Sequence, residues 1–164
     1  SVLNTLDKYG IDVTTFRFFN VAGAIGNVGE ETEDTHLLSR ICRAAVTGSH
    51  VDVFGTDYPT ADGTCIRDYV HVGDICRAIK HSIDKKIVGT YNLGLGQLTS
   101  VFKMITRFEA ITKVSVRAKP TDRRPGDASI LVADPSLFRQ YGFVYKYTVD
   151  DIINSSWRYF KDGI

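Results

Sequence analysis

The arginines of this chain sit where side chains could do specific chemistry. The run Asp57-Tyr-Pro-Thr-Ala-Asp-Gly-Thr-Cys-Ile-Arg-Asp-Tyr-Val-His71 puts Arg67 at the head of a β-rich segment, Ile66 to Val72. A loop marked by Asp57, Pro59, Asp62 and Gly63 comes directly before it. A loop held by a strand is a poor core and a good way to present a cation. A guanidinium fork matches phosphate oxygens two at a time. A second turn, Arg123-Arg-Pro-Gly-Asp127, holds two cations and a carboxylate around Pro-Gly. Asn20 follows the strand-like run Val13 to Phe19, and Phe54 ends the run Val51 to Phe54. An amide, an aromatic ring and two arginine loops, all at strand ends, are the parts of a cleft for a phosphate-bearing ligand with a stackable ring. The blander alternatives are internal pairing within the 123–127 turn and a surface Arg67–Asp68 ion pair of little energetic value.

Other chemistries find less support. Gly23-Ala-Ile-Gly26-Asn-Val-Gly29 has the glycine spacing of a dinucleotide fingerprint and follows a strand. A working fingerprint opens a helix whose free N–H groups meet the pyrophosphate. Here Glu30, Glu31, Glu33 and Asp34 follow instead and would repel a diphosphate, so the segment reads as a flexible loop. Gly94-Leu-Gly96 reads as a strand-to-helix turn. None of the eight tyrosines has a lysine four residues later, which excludes a Tyr-x-x-x-Lys acid–base pair on one helix face. His36, His50, His71 and His81 lack metal-ligand spacing, and no nucleophile elbow is present.

The elements that must position these residues alternate between strand and helix, an α/β pattern. Helices are expected over Thr35 to Thr47 (Leu37, Ile41 and Ala45 on one face), Gly73 to Lys86 (an Ile75, Ile79, Ile83 stripe) and Ser100 to Thr112. Further strands are expected over Thr90 to Leu93, Val114 to Arg117 and Ile130 to Ala133, the last two bracketing a turn from Pro120 to Asp127. Asp134-Pro135 opens a short helix. Thr148-x-x-Asp151 resembles a capping box for a final helix that buries Val149, Ile152, Ile153, Trp157 and Phe160. Val2 to Gly10 reads as the tail of an amphipathic helix with a glycine cap, as if cut from a longer chain.

At 164 residues the chain fits one domain. A net charge of +1, from 20 basic and 19 acidic residues, leaves no footprint for nucleic acid or an anionic membrane. No apolar run approaches the roughly 20 residues of a membrane span. Cys42, Cys65 and Cys76 suit neither a disulfide framework nor zinc, so a reducing cytoplasm is the default compartment.

From about Ser1 to Phe160 the chain resembles the C-terminal half of the UDP-glucose 4-epimerase family, within the extended short-chain dehydrogenase/reductases. The resemblance rests on Arg17-Phe-Phe-Asn-Val-Ala-Gly-Ala24, Thr35-His-Leu37, Val53-Phe-Gly-Thr-Asp-Tyr-Pro-Thr60, Asp62-Gly-Thr64, Ile66-Arg-Asp-Tyr-Val-His-Val72, Tyr91-Asn-Leu-Gly94 and Arg123-Arg-Pro-Gly-Asp127. It implies a partial Rossmann-like parallel sheet plus a small substrate-binding subdomain. Residues 1–164 would form a single C-terminal portion, with the NAD-binding N-terminal half absent. It also implies a UDP-hexose ligand. Asn20 would bond the diphosphate or sugar, and His36 and Leu37 would lie at the start of the helix over the substrate, His36 standing where many members have Asn. Asp52, Val53 and Phe54 would flank the uracil. Arg67 and Arg124 would clamp the diphosphate, and Asp127 would bond the ribose. Phe18, where Tyr is common, and Phe19 would face the nicotinamide. Family members exchange hydride between the sugar C4 and tightly held NAD. The glycine cofactor loop and the catalytic Ser/Thr and Tyr-x-x-x-Lys belong to the other half, so this chain alone is expected to bind no NAD and to epimerise nothing. Alternatives are a subunit of a split epimerase, completed by the missing half or by a homodimer partner, and a non-catalytic interaction module.

Overall fold

A computed structural model describes residues 8–29 and 36–162. In chain order the elements are β1 (Thr14–Phe18), β2 (Asn20–Ala22), α1 (Leu37–Thr47), β3 (His50–Phe54), β4 (Ile66–Arg67), β5 (Tyr69–His71), α2 (Val72–Asp84), β6 (Gly89–Leu93), β7 (Thr99–Ser100), α3 (Val101–Thr112), β8 (Arg117–Thr121), β9 (Ile130–Leu131), α4 (Ser136–Arg139) and α5 (Val149–Asp162). The fold is α/β. Parallel pairs join β1 to β6, β2 to β5, β3 to β8 and β4 to β9, and β7 pairs antiparallel with β4. Parallel strands need crossovers, and the helices between them supply these.

Local chemistry explains most boundaries. β1 is a run of β-branched and aromatic residues, TTFRF. Gly48, at φ 69°, ends α1 in the left-handed region that glycine tolerates. The Ser100 hydroxyl accepts the Lys103 N–H to cap α3. The capping box ahead of α5 is formed. The Thr148 N–H donates to Asp151 Oδ2 at 2.8 Å, and the Asp151 N–H donates to Thr148 Oγ1 at 3.3 Å. Gly10 adopts φ 65°, as a helix cap would, while Val2 to Asp7 and the acidic run Glu30 to Asp34 lie outside the described residues.

Several expectations need correction. Asn20–Ala22 is a strand rather than loop, because β5 pairs with it residue for residue, Asn20 opposite Tyr69 and Ala22 opposite His71. Gly26 belongs to a tight hairpin closed by Ile25 and Val28, and Gly23, just before it, packs against the His71 ring. The strand expected at Val114–Arg117 begins where that range ends and runs through Pro120, which pairs with Val53. The Ile75, Ile79, Ile83 stripe is not a buried face: Ile75 is buried, but Ile79 and Ile83 are exposed. Steps of four drift by about 40° each around a helix of 3.6 residues per turn, so the stripe leaves the buried face. Ala78 and Ser82 fill that face instead, and the Asp74 carboxylate accepts the backbone N–H groups of Lys146 and Tyr147.

The core has two apolar clusters. One gathers Leu38 and Ile41 of α1, Val51 and Val53 of β3, Met104 and Phe108 of α3, and Ile152 and Ile153 of α5. The other gathers Val70, Tyr91, Leu93, Phe138 and Phe143 around β5, β6 and α4. Among the described residues, no helix is long and apolar enough to cross a membrane.

Candidate functional site

A cavity of about 230 Å³ opens beside the C-terminal end of β3, lined from α1, β2, β4 and the 124–127 turn. This is where open parallel sheets take ligands. Alternation along β3 decides what faces it. Val51 and Val53 are buried in the core, while Asp52 and Phe54 line the cavity. Asn20, His36, Leu37, Arg67, Arg124 and Asp127 line it too. The structure therefore brings together the expected substrate residues except Val53, whose side chain points the other way. Phe18 and Phe19 lie at the end of β1, outside this lining. Phe18 is half-exposed and stacks on Phe16 at 6.4 Å, and the Phe19 N–H donates to the Leu93 carbonyl at 3.0 Å.

Arg67 is held in place by its backbone. Its Nη1 donates to the Ala128 and Ile66 carbonyls at 2.7 and 2.9 Å, and its Nη2 lies 3.4 Å from Asp127 Oδ1. Arg124 Nε donates to Asp127 Oδ2 at 2.9 Å, and its guanidinium lies over the Phe54 ring at 4.6 Å. Arg123 turns away, pairs with Asp57 at 2.7 Å and covers Tyr58 at 4.2 Å. The internal pairing weighed for this turn is thus present, and Arg124 is the member that reaches the cavity.

Sequence reasoning missed four residues. Arg40 pairs with Asp52 at 3.1 Å and lies 5.1 Å from the Phe54 ring centroid. Its position three residues after Leu37 on a helix could have signalled this. Tyr69 and Cys65 also line the cavity, and burial pushes both their pKa values up, so each stays protonated. The fourth is Asp68, which is fully buried rather than paired with Arg67. Its Oδ1 accepts the N–H groups of Tyr69, Leu95 and Gln97, and its Oδ2 those of Gly96 and Ala133. Gly94 must be glycine here, since a Cβ would overlap Asp68 Oδ2 and lie 2.6 Å from Ala133 Cβ. The Asn20 amide donates to the Asp68 carbonyl at 3.0 Å, which leaves its Oδ1 for the cavity.

The rest of the 57–71 motif is scaffold. Asp62 accepts from the Thr64 N–H at 2.9 Å and from the Ser100 hydroxyl, and Thr64 Oγ1 accepts the Val101 N–H at 3.1 Å at the start of α3. His71 is buried and stacked on Tyr147 at 3.9 Å, and its Nδ1 accepts the Gly73 N–H at 2.9 Å. Among the described residues no group of histidines, cysteines and carboxylates could hold a metal ion. Three guanidiniums, an aromatic ring and an amide oxygen in one cavity are groups that suit an anion attached to a flat ring.

The comparisons with known proteins agree with that chemistry. The family model described as NAD dependent epimerase/dehydratase family matches residues 1–94. The UDP-glucose 4-epimerase of Bacillus subtilis (strain 168) is 36% identical over 162 residues, covering 93% of this chain and 48% of that protein. The crystal structure of a UDP-glucose-4-epimerase from Stenotrophomonas maltophila, with bound NAD and formylated UDP-arabinopyranose, superposes with a TM-score of 0.91 at 33% identity, covering 99% of this chain and 52% of the other. The Bifidobacterium longum enzyme in complex with NAD+ and UDP gives a TM-score of 0.90 at 30% identity, covering 98% and 51%. The chain spans about half the length of these relatives.

Proposed function

Because the chain belongs to the NAD dependent epimerase/dehydratase family, we propose that its cavity receives the UDP end of a UDP-hexose. The activity it serves would be the interconversion of UDP-glucose and UDP-galactose. One observation carries the reading: Arg67 and Arg124 converge on the same cavity as Phe54. In this assignment the arginines hold the diphosphate, Phe54 and Asp52 meet the uracil, Asp127 meets the ribose, and Asn20, His36 and Leu37 border the sugar side.

NAD would supply hydride exchange at the sugar C4. The described residues offer it no diphosphate cradle: Gly23 packs against the His71 ring, Gly26 sits in the hairpin, and Gly29 packs against Tyr159. Phe18 and Phe19 could meet only the nicotinamide side. The reading is therefore that this chain binds UDP-sugar, does not hold NAD by itself and does not turn over alone. A second reading, docking to a polypeptide that completes the enzyme, draws support from β1. Its paired edge faces β6, and Tyr9, Ile11 and Phe18 nearby are exposed.

Isothermal titration with UDP tests the first reading. Saturable binding is expected, weakened about ten- to a hundredfold by Arg67→Ala or Arg124→Ala, since a charge-assisted hydrogen bond contributes about 1.5–3 kcal/mol. A well-folded wild-type chain that ignores UDP would refute it. Incubation with UDP-glucose and NAD should yield no UDP-galactose, and turnover would overturn the inactivity.

A further inference from the structure

Two of the three arginines that line the cavity, Arg67 and Arg124, already share an anion. Asp127 lies between them, one carboxylate oxygen 3.4 Å from Arg67 Nη2 and the other 2.9 Å from Arg124 Nε. We propose that Asp127 is a resident counter-ion which an incoming diphosphate must displace, and that this exchange makes the clamp selective for nucleoside diphosphates over bare pyrophosphate. The inference rests on the UDP-sugar reading above and adds to it a reason for discrimination.

The argument follows the fate of each charge. Arg67 is anchored through Nη1 to two backbone carbonyls, so Nη2 is its edge available for exchange. Arg124 is half-exposed and can turn from Asp127 toward a phosphate while keeping its place over Phe54. Cys65, Arg67, Arg124 and Asp127 all line the one cavity, so these charges occupy one small region. A diphosphate entering there meets the Asp127 carboxylate as a like charge, a repulsion of about 1–4 kcal/mol at contact distance. Asp127 is largely shielded, with a side-chain exposure of 21%, and bulk water cannot fully replace its lost partners. It needs new donors from the ligand. The two hydroxyls of a ribose beside the diphosphate supply them, and pyrophosphate has none to give. A site left with an unpaired polar group rejects the ligand that strands it. The Pro125-Gly126 turn allows the movement: Gly126 sits at φ 86° with open space where a Cβ would be.

The test is calorimetric titration of the 164-residue chain with UDP and, separately, with inorganic pyrophosphate at fixed ionic strength, in the wild type and in Asp127→Asn. The variant should bind pyrophosphate about tenfold more tightly than wild type and UDP no more tightly, so the preference for UDP collapses; about 1.4 kcal/mol corresponds to that factor. Asp127→Ala should move pyrophosphate affinity the same way, which guards against a folding defect in either variant. Wild type that binds UDP, with both variants binding pyrophosphate no better, overturns the counter-ion role and leaves the UDP-sugar reading standing. Wild type that binds neither ligand overturns both.

Discussion

Replacing Asp68 by asparagine changes one atom and removes one charge, and the structure sets what that should cost. The carboxylate accepts five backbone N–H groups, at 2.9, 3.2 and 3.2 Å on Oδ1 and 2.8 and 3.2 Å on Oδ2. In its better orientation an asparagine oxygen would keep Tyr69, Leu95 and Gln97. Its NH₂ would then face the N–H groups of Gly96 and Ala133, donor against donor. Each stranded buried donor costs about 1–3 kcal/mol, so Asp68→Asn should lose about 2–6 kcal/mol. Against a domain stability of about 5–15 kcal/mol, that is a large fraction. Urea unfolding of wild type and variant at neutral pH measures it, provided the m-values match. A loss below about 1 kcal/mol would refute the claim that these amides depend on the carboxylate.

Two further predictions concern pH. Burial holds the His71 imidazole below its ordinary value of 6.5, against the opposing pull of Asp74 and Asp151. The unfolded chain therefore takes up the proton first, so this contribution is complete above about pH 6.5 and is lost as pH falls toward the folded-state value. Thermal midpoints should drop between about pH 7.5 and 5.5 in wild type, and less in His71→Asn, which keeps an N-cap acceptor that does not titrate. Equal slopes would count against it. Thr148→Ala removes the hydroxyl half of the capping box and should cost about 0.5–2 kcal/mol by denaturant titration. The Thr148 hydrogen bonds hold the Asp151 carboxyl below its usual 3.8. That increment is present above about pH 4 and lost as pH falls through the depressed value, so variant and wild type should converge in acid. A gap that persists unchanged at low pH would show that the cap does not act through Asp151.

What the sequence disclosed was local. β1, β3 and β6 announce themselves by β-branched and aromatic runs, α3 by its apolar face, and α5 by Thr148 and Asp151, because each signal lies within a few neighbouring residues. Asn20–Ala22 carries no such signal, since it is a strand only because β5 lies alongside. Pro120 reads as a breaker, but it is tolerated on β8, which pairs with β3 on one side. Asp68 reads as a surface partner for Arg67, because the amides that claim it come from as far as 65 residues away. In the site, Arg67, Arg124 and Phe54 were legible from residue type at strand ends. Arg40 was legible only as a neighbour of Leu37 on one helix face, because its partner Asp52 reaches it only when α1 folds over β3.

Tyr145 packs against both apolar clusters, its ring edge-on to Phe143 at 5.1 Å and beneath Arg139 at 5.3 Å. Among the described residues Tyr145 thus bridges the larger cluster, under the cavity, and the smaller one around β6 and α4. Arg67 and Arg124 line a cavity walled by α1 and β3, which belong to the larger cluster, so local opening around β6 and α4 is expected to leave both arginines in place.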